Sequence, residues 1–496
     1  MHTKHTVFAG WFAAGLLAFG AGACGSNSPL PVSSEPRLIP GGGIGDGPIS
    51  GKLNVYVIDE DTRNVLSSAS VRVGAADELA PCVALTDSTG LARFDSSAAA
   101  ATPDGGAPGG AGCALLTKAV TLTVSASGHA PSTWIGVDGG NATIALRAIS
   151  SPALGRATVM GTIAGWDDMP APAADHNRLA FIGASSNPDL TDRANNLDQG
   201  TRQVVIDVAG QPYPIDIASN ACIRNSNPLI FVNDCNWVLT THTGPQAHFA
   251  VLLDQDTKGT DDETDDTTVV TGWAIKTGLT FGDGTTTGGE SLTVIADADM
   301  QTFTASFASG PSGLDYMVAY PVLDLGTDGR ITIFLPTLNS TTRMTRVPKL
   351  TGALAGAHYD MLASAIDDPT KSLPATTTWL RGVDPSATVA VPSWMAPPSA
   401  ITMTGGRFSF TPVAGATLHG AELQTMDGQR RWSITILDGS TSFTLPGLSP
   451  DPLPLGTIRY AVSALKIPGF DAKDIVFDDL ADLVTDISTD AITYSR

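Results

Sequence analysis

The sequence predicts an all-β chain of tandem β-sandwich modules standing behind a flexible tether. Three observations lead there. Short stretches such as "KLNVYVIDED", "ASVRVG" and "RRWSITIL" alternate apolar and polar residues with a period of two, as half-buried strands do. Glycine is abundant, at 52 residues, and Ser and Thr are frequent, so the short apolar runs are separated by turn-forming stretches. Charged residues make up only 16% against 42% hydrophobic, which suits real cores and an exported β protein better than a cytosolic enzyme.

At 496 residues the chain has room for three or four domains after a leader. Its net charge of −21 argues against nucleic acid as a partner, since that needs clustered Lys and Arg. The same charge argues against electrostatic docking on anionic lipid.

The N-terminus reads as an export signal, residues 1–23. Lys4, with His2 and His5, forms a polar start, and "VFAGWFAAGLLAFGAGA" follows without a charge and ends in small residues. The run is shorter than the roughly 20 apolar residues of a membrane-spanning helix, and no later stretch approaches that length. Cys24 then has two readings. "AGA" can be an ordinary A-x-A cleavage site that Cys24 merely follows. Alternatively, Ala21-Gly22-Ala23-Cys24 resembles the bacterial lipobox, whose cysteine is lipidated and becomes the first residue; Ala21 stands where that pattern usually has Leu. Parity favours the lipobox. Of five cysteines, Cys82 with Cys113 and Cys222 with Cys235 form two local couples, and an unpaired thiol is a liability in an oxidising compartment. Cys24 is the odd one, and lipidation accounts for it. Residues 24–50 are rich in Gly, Ser and Pro, too poor in apolar pattern to offset chain entropy, and read as a leash.

Residues 51–149 read as one small sandwich. Leu53, Val55 and Val57 alternate with polar neighbours, and Asp87-Ser88-Thr89-Gly90 places a turn between two strands. The run of "NVYVIDED", "SASVRVG", "TDSTGLARF" and "LTVSASGHA" resembles carboxypeptidase regulatory-like domains, over about 100 residues. That resemblance implies a transthyretin-like, carbohydrate-binding-like sandwich of the kind usually appended to other modules without catalysis. "SSAAAATPDGGAPGGAG" departs from the family as a long loop, with a Cys82–Cys113 disulfide expected at its base.

Residues 155–390 open with "ATVMGTIAGW", much as residue 51 does, and carry a series of short strand patterns: one large sandwich or two fused ones. Cys222 and Cys235 bracket 12 residues and are expected to pair. "GALAGAHYDMLASAID" suits a short helix or a strand, and periodicity does not choose. Residues 396–496 resemble a fibronectin type III domain, an immunoglobulin-like sandwich, through "GRFSFTPVAGATLHGAELQTMDG", "RRWSITIL" and "FTLPGLSPDPLPLGTIRYAVSA". The resemblance makes Tyr460 the tyrosine that ties down a corner loop and puts Phe410 where the family has a core Trp. "VFDDLADLVTDI" spaces Phe477, Leu480, Leu483, Val484 and Ile487 by three and four, a short helix that the family lacks.

Chemistry is sparse. None of G-x-S-x-G, H-E-x-x-H, C-x-x-C, G-x-G-x-x-G or a Walker loop occurs, which speaks against familiar hydrolases and nucleotide enzymes. No catalytic residue is assigned. His242 and His248 flank a Gly244-Pro245 turn and with His176 form a conceivable metal set, against the ordinary reading of satisfied histidines. Trp134, Trp166, Trp237, Trp273, Trp379 and Trp432 are scattered and read as core plugs rather than a sugar platform. In "LDQDTKGTDDETDD", Asp254, Asp256, Gly259, Asp262 and Asp265 fall at positions 1, 3, 6, 9 and 12 of an EF-hand-like loop and could ligate Ca²⁺. Lys258 stands at a ligand position, position 12 is Asp rather than Glu, and no helices flank the loop. A solvated acidic turn is the competing reading.

The expectation is a non-catalytic, extracytoplasmic lipoprotein, membrane-tethered at the outer membrane or cell surface, with a structural or binding role toward a protein or glycan ligand. The rival is an extracytoplasmic enzyme whose site lies within residues 155–390. Replacing Cys24 with Ser should move the protein from the membrane to the soluble fraction on cell fractionation and remove its acyl chains by mass spectrometry.

Overall fold

The computed structural model describes residues 35–45, 47–97, 111–149, 155–186, 201–208, 211–225, 230–260, 266–333, 342–367, 373–391, 393–473 and 476–496. Cys24 lies outside them. Among the described residues strands dominate, and the single α-helix is the one-turn Leu480–Leu483. No described helix is long and apolar enough to cross a membrane.

The alternation in "KLNVYVIDED" becomes the strand Lys52–Asp59, whose Leu53, Val55 and Val57 are fully buried. It pairs antiparallel with Leu91–Asp95 and parallel with Asn141–Leu146, at the centre of a five-stranded sheet. Strands Ser70–Val73, Cys82–Leu85, Val120–Ser125 and Ser132–Val137 cover its inner face with Val71, Val73, Leu122 and Val124. The turn between them needs its glycine. Gly90 has φ 73°, and a Cβ there would stand 2.7 Å from the Val65 Cβ. Asp87 closes the turn by accepting from the Thr89 and Leu91 amides at 2.8 and 3.2 Å. Cys82, on the edge strand of one sheet, is bonded to Cys113, just beyond the edge strand Ala111–Gly112 of the other, with Cα atoms 5.4 Å apart.

Among the described residues, 155–391 hold two large cores and a small cluster of Val204 with Val232. Val159, Ile163, Ile182, Trp237, Leu239 and Leu252 fill the first, between a three-stranded and a five-stranded sheet. Cys222 and Cys235 are bonded within it, with Cα atoms 4.3 Å apart. Phe303, Phe307, Leu323, Val347, Tyr359 and Met361 fill the second. Trp273 lies on the strand Thr267–Phe281 of the first unit yet belongs to the second core, where its indole N–H donates to the Arg346 carbonyl at 2.8 Å. The ambiguous "GALAGAHYDMLASAID" resolves into a 3₁₀ turn, Gly352–Leu354, and a strand, His358–Ile366.

In the last hundred residues a three-stranded sheet, Ser399–Thr404, Arg407–Thr411 and Ser442–Thr444, faces four strands, Leu418–Thr425, Arg431–Ile436, Thr457–Lys466 and Asp486–Ser495. Phe410 is in the core between them. Tyr460 does not tie a corner. It sits inside its strand, opposite Leu423 and Ile492, and its ring packs against Phe408 at 5.0 Å. Its hydroxyl is buried without a hydrogen-bond partner, and burial pushes its pKa up, with Tyr494 adding to the shift.

One sheet of twelve strands runs through three of these units. In order it contains Arg330–Thr332, Tyr316–Asp324, His358–Ile366, Ala375–Val383, Asp486–Ser495, Thr457–Lys466, Leu418–Thr425, Arg431–Ile436, Ser132–Val137, Val120–Ser125, Ser70–Val73 and Cys82–Leu85. Two joints make it continuous. Ser433–Ile436 pairs in parallel with Ser132–Ile135, and Ala375–Thr378 pairs antiparallel with Asp486–Thr489. At the first joint the buried Trp432 N–H donates to the Thr133 hydroxyl at 3.0 Å, and that oxygen also meets Thr123 Oγ1 at 3.0 Å.

The expected C-terminal helix is cut short by the strand of the second joint. Phe477–Asp479 is 3₁₀ and Leu480–Leu483 one α-turn, after which Asp486–Ser495 is strand, so Ile487 leaves the helical pattern. Phe477, Leu480 and Val484 are buried in the core of the N-terminal sandwich, with the Phe477 ring 4.4 Å from that of Trp134. Phe477→Ala should therefore lower stability by about 3–5 kcal/mol. Calorimetry should find the N- and C-terminal units melting in one transition in the parent chain and separating in the variant.

Candidate functional site

The acidic stretch begins where the strand Gly244–Asp256 ends. Antiparallel pairing sets Asp256 opposite His176 and Asp254 opposite Arg178. Within that frame the His176 Nδ1 bonds the Asp254 carboxylate, and Nε2 stands 3.9 Å from Asp256 Oδ1. Lys258, with φ 54°, donates its amide to Asp256 Oδ1 at 2.9 Å and turns its ammonium back on the same carboxylate. The hydrogen bond to Asp254 raises the His176 pKa against some desolvation, and the Lys258 ammonium lowers that of Asp256. Gly259 takes φ 68°, as the turn requires. Asp262 and Asp265 lie outside the described residues. The two described carboxylates of the calcium pattern are thus each held by a basic side chain of this chain.

The three histidines share no partner. His242 is buried with Nδ1 at 2.9 Å from the Thr243 carbonyl and Nε2 at 3.1 Å from that of Ser185. Both nitrogens face backbone carbonyls rather than an open site. His248 Nδ1 faces Glu290 Oε1 at 3.0 Å, with side-chain exposures of 0% and 4%, and its ring stacks on Phe281 at 5.2 Å. The pair is enclosed, and His248 Nε2 is buried without a hydrogen-bond partner. Around it, Gln246 donates to the His242 carbonyl at 2.9 Å, and Ser185 accepts from the Ala247 amide at 2.9 Å while donating to the Asp328 carbonyl. These polar groups bind segments of backbone together rather than line a cleft.

A second cluster was not singled out by motif. Asp324 and His358 are cross-strand neighbours, and Asp360 lies two residues beyond His358, at a bulge against the strand Ala375–Val383. The bulge lets the Gly382 amide, at φ 59°, donate to Asp360 Oδ1 at 2.8 Å. The Trp379 N–H donates to Oδ2 at 3.2 Å. Asp324 accepts from the Gly326 amide at 2.8 Å and from Arg330 Nε at 2.7 Å. Arg330 also reaches Asp482 at 3.0 Å, on the C-terminal turn, and Arg381 approaches Asp360 and Asp482 at 3.6 and 3.7 Å while lying 4.1 Å from the Trp379 ring centre. Burial disfavours charge on both guanidinium groups. For Arg330 the carboxylates of Asp324 and Asp482 more than offset it and raise the pKa; for Arg381 burial wins and the pKa falls. The sequence did carry a signal: Asp360 interrupts an apolar strand between Tyr359 and Met361, and a carboxylate there must be held by several donors.

The His176–Asp254 pair gives a pH test. A raised folded pKa means the pair contributes below the ordinary histidine value of 6.5 and is lost as pH rises through the folded value. The His176 ring should titrate above 6.5 by NMR, and Asp254→Asn should bring it down.

No protein-family model and no curated protein matches the sequence. Among solved structures, the Bacillus anthracis TIE protein is similar at 8% identity over 68% of this chain and 50% of that one, with a TM-score of 0.13, so the chain spans half of that protein's length. A tetra-tandem repeat in the extending region of a large adhesion protein is similar at 10% identity over 90% of this chain and 99% of that one, TM-score 0.14. The full-length major pilin SpaD of Corynebacterium diphtheriae is similar at 9% identity over 69% and 96%, TM-score 0.13.

Proposed function

We propose that the chain is a non-catalytic, surface-tethered lipoprotein with a structural or binding role at the cell envelope. In this reading Cys24 carries the lipid and the leash is shorter than residues 24–50, because Gly43–Ile44 pairs with Asn141–Leu146 and Ile44 and Ile49 lie in the N-terminal core; a carboxypeptidase regulatory-like unit (51–149), two fused sandwiches (155–390) and a fibronectin type III-like unit (396–496) form the body. The observation that carries the reading is the twelve-stranded sheet. Modules joined by ladder hydrogen bonds and shared cores cannot swing as modules on linkers do, which suits a body that holds a ligand at a distance from a membrane. The two disulfides suit an oxidising compartment.

Intact cells carrying the chain should be labelled on it by a membrane-impermeant biotin reagent and should attach to protein- or glycan-coated surfaces better than cells lacking it. The Cys24→Ser variant should lose the attachment without losing the fold. Attachment equal in all three strains, together with turnover of esters, peptides or glycosides by the purified chain, would overturn the reading.

A further inference from the structure

We propose that Asp324, His358 and Asp360 form a Zn²⁺ site. The ladder itself brings them together, because Asp324 and His358 are opposed across two strands and Asp360 follows His358 by two residues. One ligand atom from each lies within 4.8 Å of the other two. His358 Nε2 is 3.5 Å from Asp360 Oδ1 and 3.9 Å from Asp324 Oδ2. Zinc holds nitrogen and oxygen at about 2.0–2.2 Å, so neighbouring tetrahedral ligands stand about 3.3–3.5 Å apart. Of the three distances, that from His358 to Asp360 already fits, that from His358 to Asp324 is within 0.4 Å of the upper value, and the two carboxylate oxygens lie within 4.8 Å of each other.

The two carboxylates are not solvated surface acids. Asp360 is fully buried and Asp324 7% exposed, and each is fixed by donors that leave lone pairs over: Gly382 and Trp379 on Asp360, Gly326 and Arg330 on Asp324. Metal-binding carboxylates are oriented in this way by their own hydrogen bonds. Asp324, Asp360 and Asp482 carry three negative charges against two on Arg330 and Arg381, so the cluster has an anionic surplus beside an imidazole. One imidazole nitrogen and two carboxylate oxygens suit zinc, whereas Ca²⁺ wants six to eight oxygens. The fourth position faces the solvent side, where His358 is 53% exposed, and takes water. Arg330 and Arg381 meet Asp482 from this cluster, so the bound ion would brace the joint between the second core of the middle region and the C-terminal unit.

The test is uptake of Zn²⁺ by the full chain after chelation, measured by equilibrium dialysis with elemental analysis and by the thermal midpoint. The parent chain should take one equivalent more than His358→Ala, His358→Gln or Asp360→Asn, and its midpoint alone should rise with zinc. His176→Ala should keep the equivalent, which separates this site from the Asp254 cluster. Equal midpoints of the parent and His358 variants in chelator establish that the variants fold. Uptake that is equal in parent and His358 variants, or absent in the parent, overturns the proposal and leaves the cluster as an ion-pair network closed by the imidazole.

Discussion

A strand at a sheet edge exposes a row of unpaired N–H and C=O groups, and in this chain the module edges satisfy one another. The edge of the N-terminal sandwich at Ser132–Val137 would otherwise be open, as would the edge of the C-terminal unit at Arg431–Ile436; their parallel pairing removes both. The antiparallel pairing of Ala375–Thr378 with Asp486–Thr489 does the same at the other side. The C-terminal unit lies in the middle of the sheet although it is last in sequence, and the N-terminal and middle units reach the sheet through it.

Packing reinforces the ladders. The core of the N-terminal sandwich takes in Leu418, Leu465, Ile467, Phe477, Leu480 and Val484 from the last hundred residues. Trp273 crosses between the two cores of the middle region in the same manner. Buried aromatics are costly to truncate, so these crossings couple the units energetically, and boundaries drawn along the chain do not coincide with boundaries between cores.

Charge is scarce in this sequence, and several part-exposed ion pairs sit at seams. Arg330, Arg381 and Asp482 tie the second core of the middle region to the C-terminal turn, Lys473 meets Asp138 at 2.8 Å between the C-terminal segment and the N-terminal sandwich, and Ser186 exchanges backbone hydrogen bonds with Arg330 between the two middle cores. Part-exposed ion pairs add little net stability by themselves, but their geometry is specific. Such pairs therefore favour one mutual placement over others.

The all-β class, the strands and the tight turns were legible in the sequence, because alternation and glycine at positive φ are local requirements of the backbone: Leu53, Val55 and Val57 point inward, and Gly90 turns as Asp87-Ser88-Thr89-Gly90 predicts. The pairing of Cys82 with Cys113 and of Cys222 with Cys235 was legible from proximity along the chain. Local pattern failed where distant segments competed for the same residues. "VFDDLADLVTDI" has helical spacing, yet its start is drawn into a core built by residues 44–146 and its end into a strand paired with Thr457–Lys466. Tyr460 was placed at a corner by resemblance, but register sets it inside a central strand, where its ring packs and its hydroxyl does not bond. The Asp324–His358–Asp360 cluster depends on cross-strand register and a bulge, neither of which any single stretch encodes. The twelve-stranded sheet is the largest such case: ladder hydrogen bonds between Ser132–Ile135 and Ser433–Ile436 join residues some three hundred positions apart, and only the folded chain brings them into register.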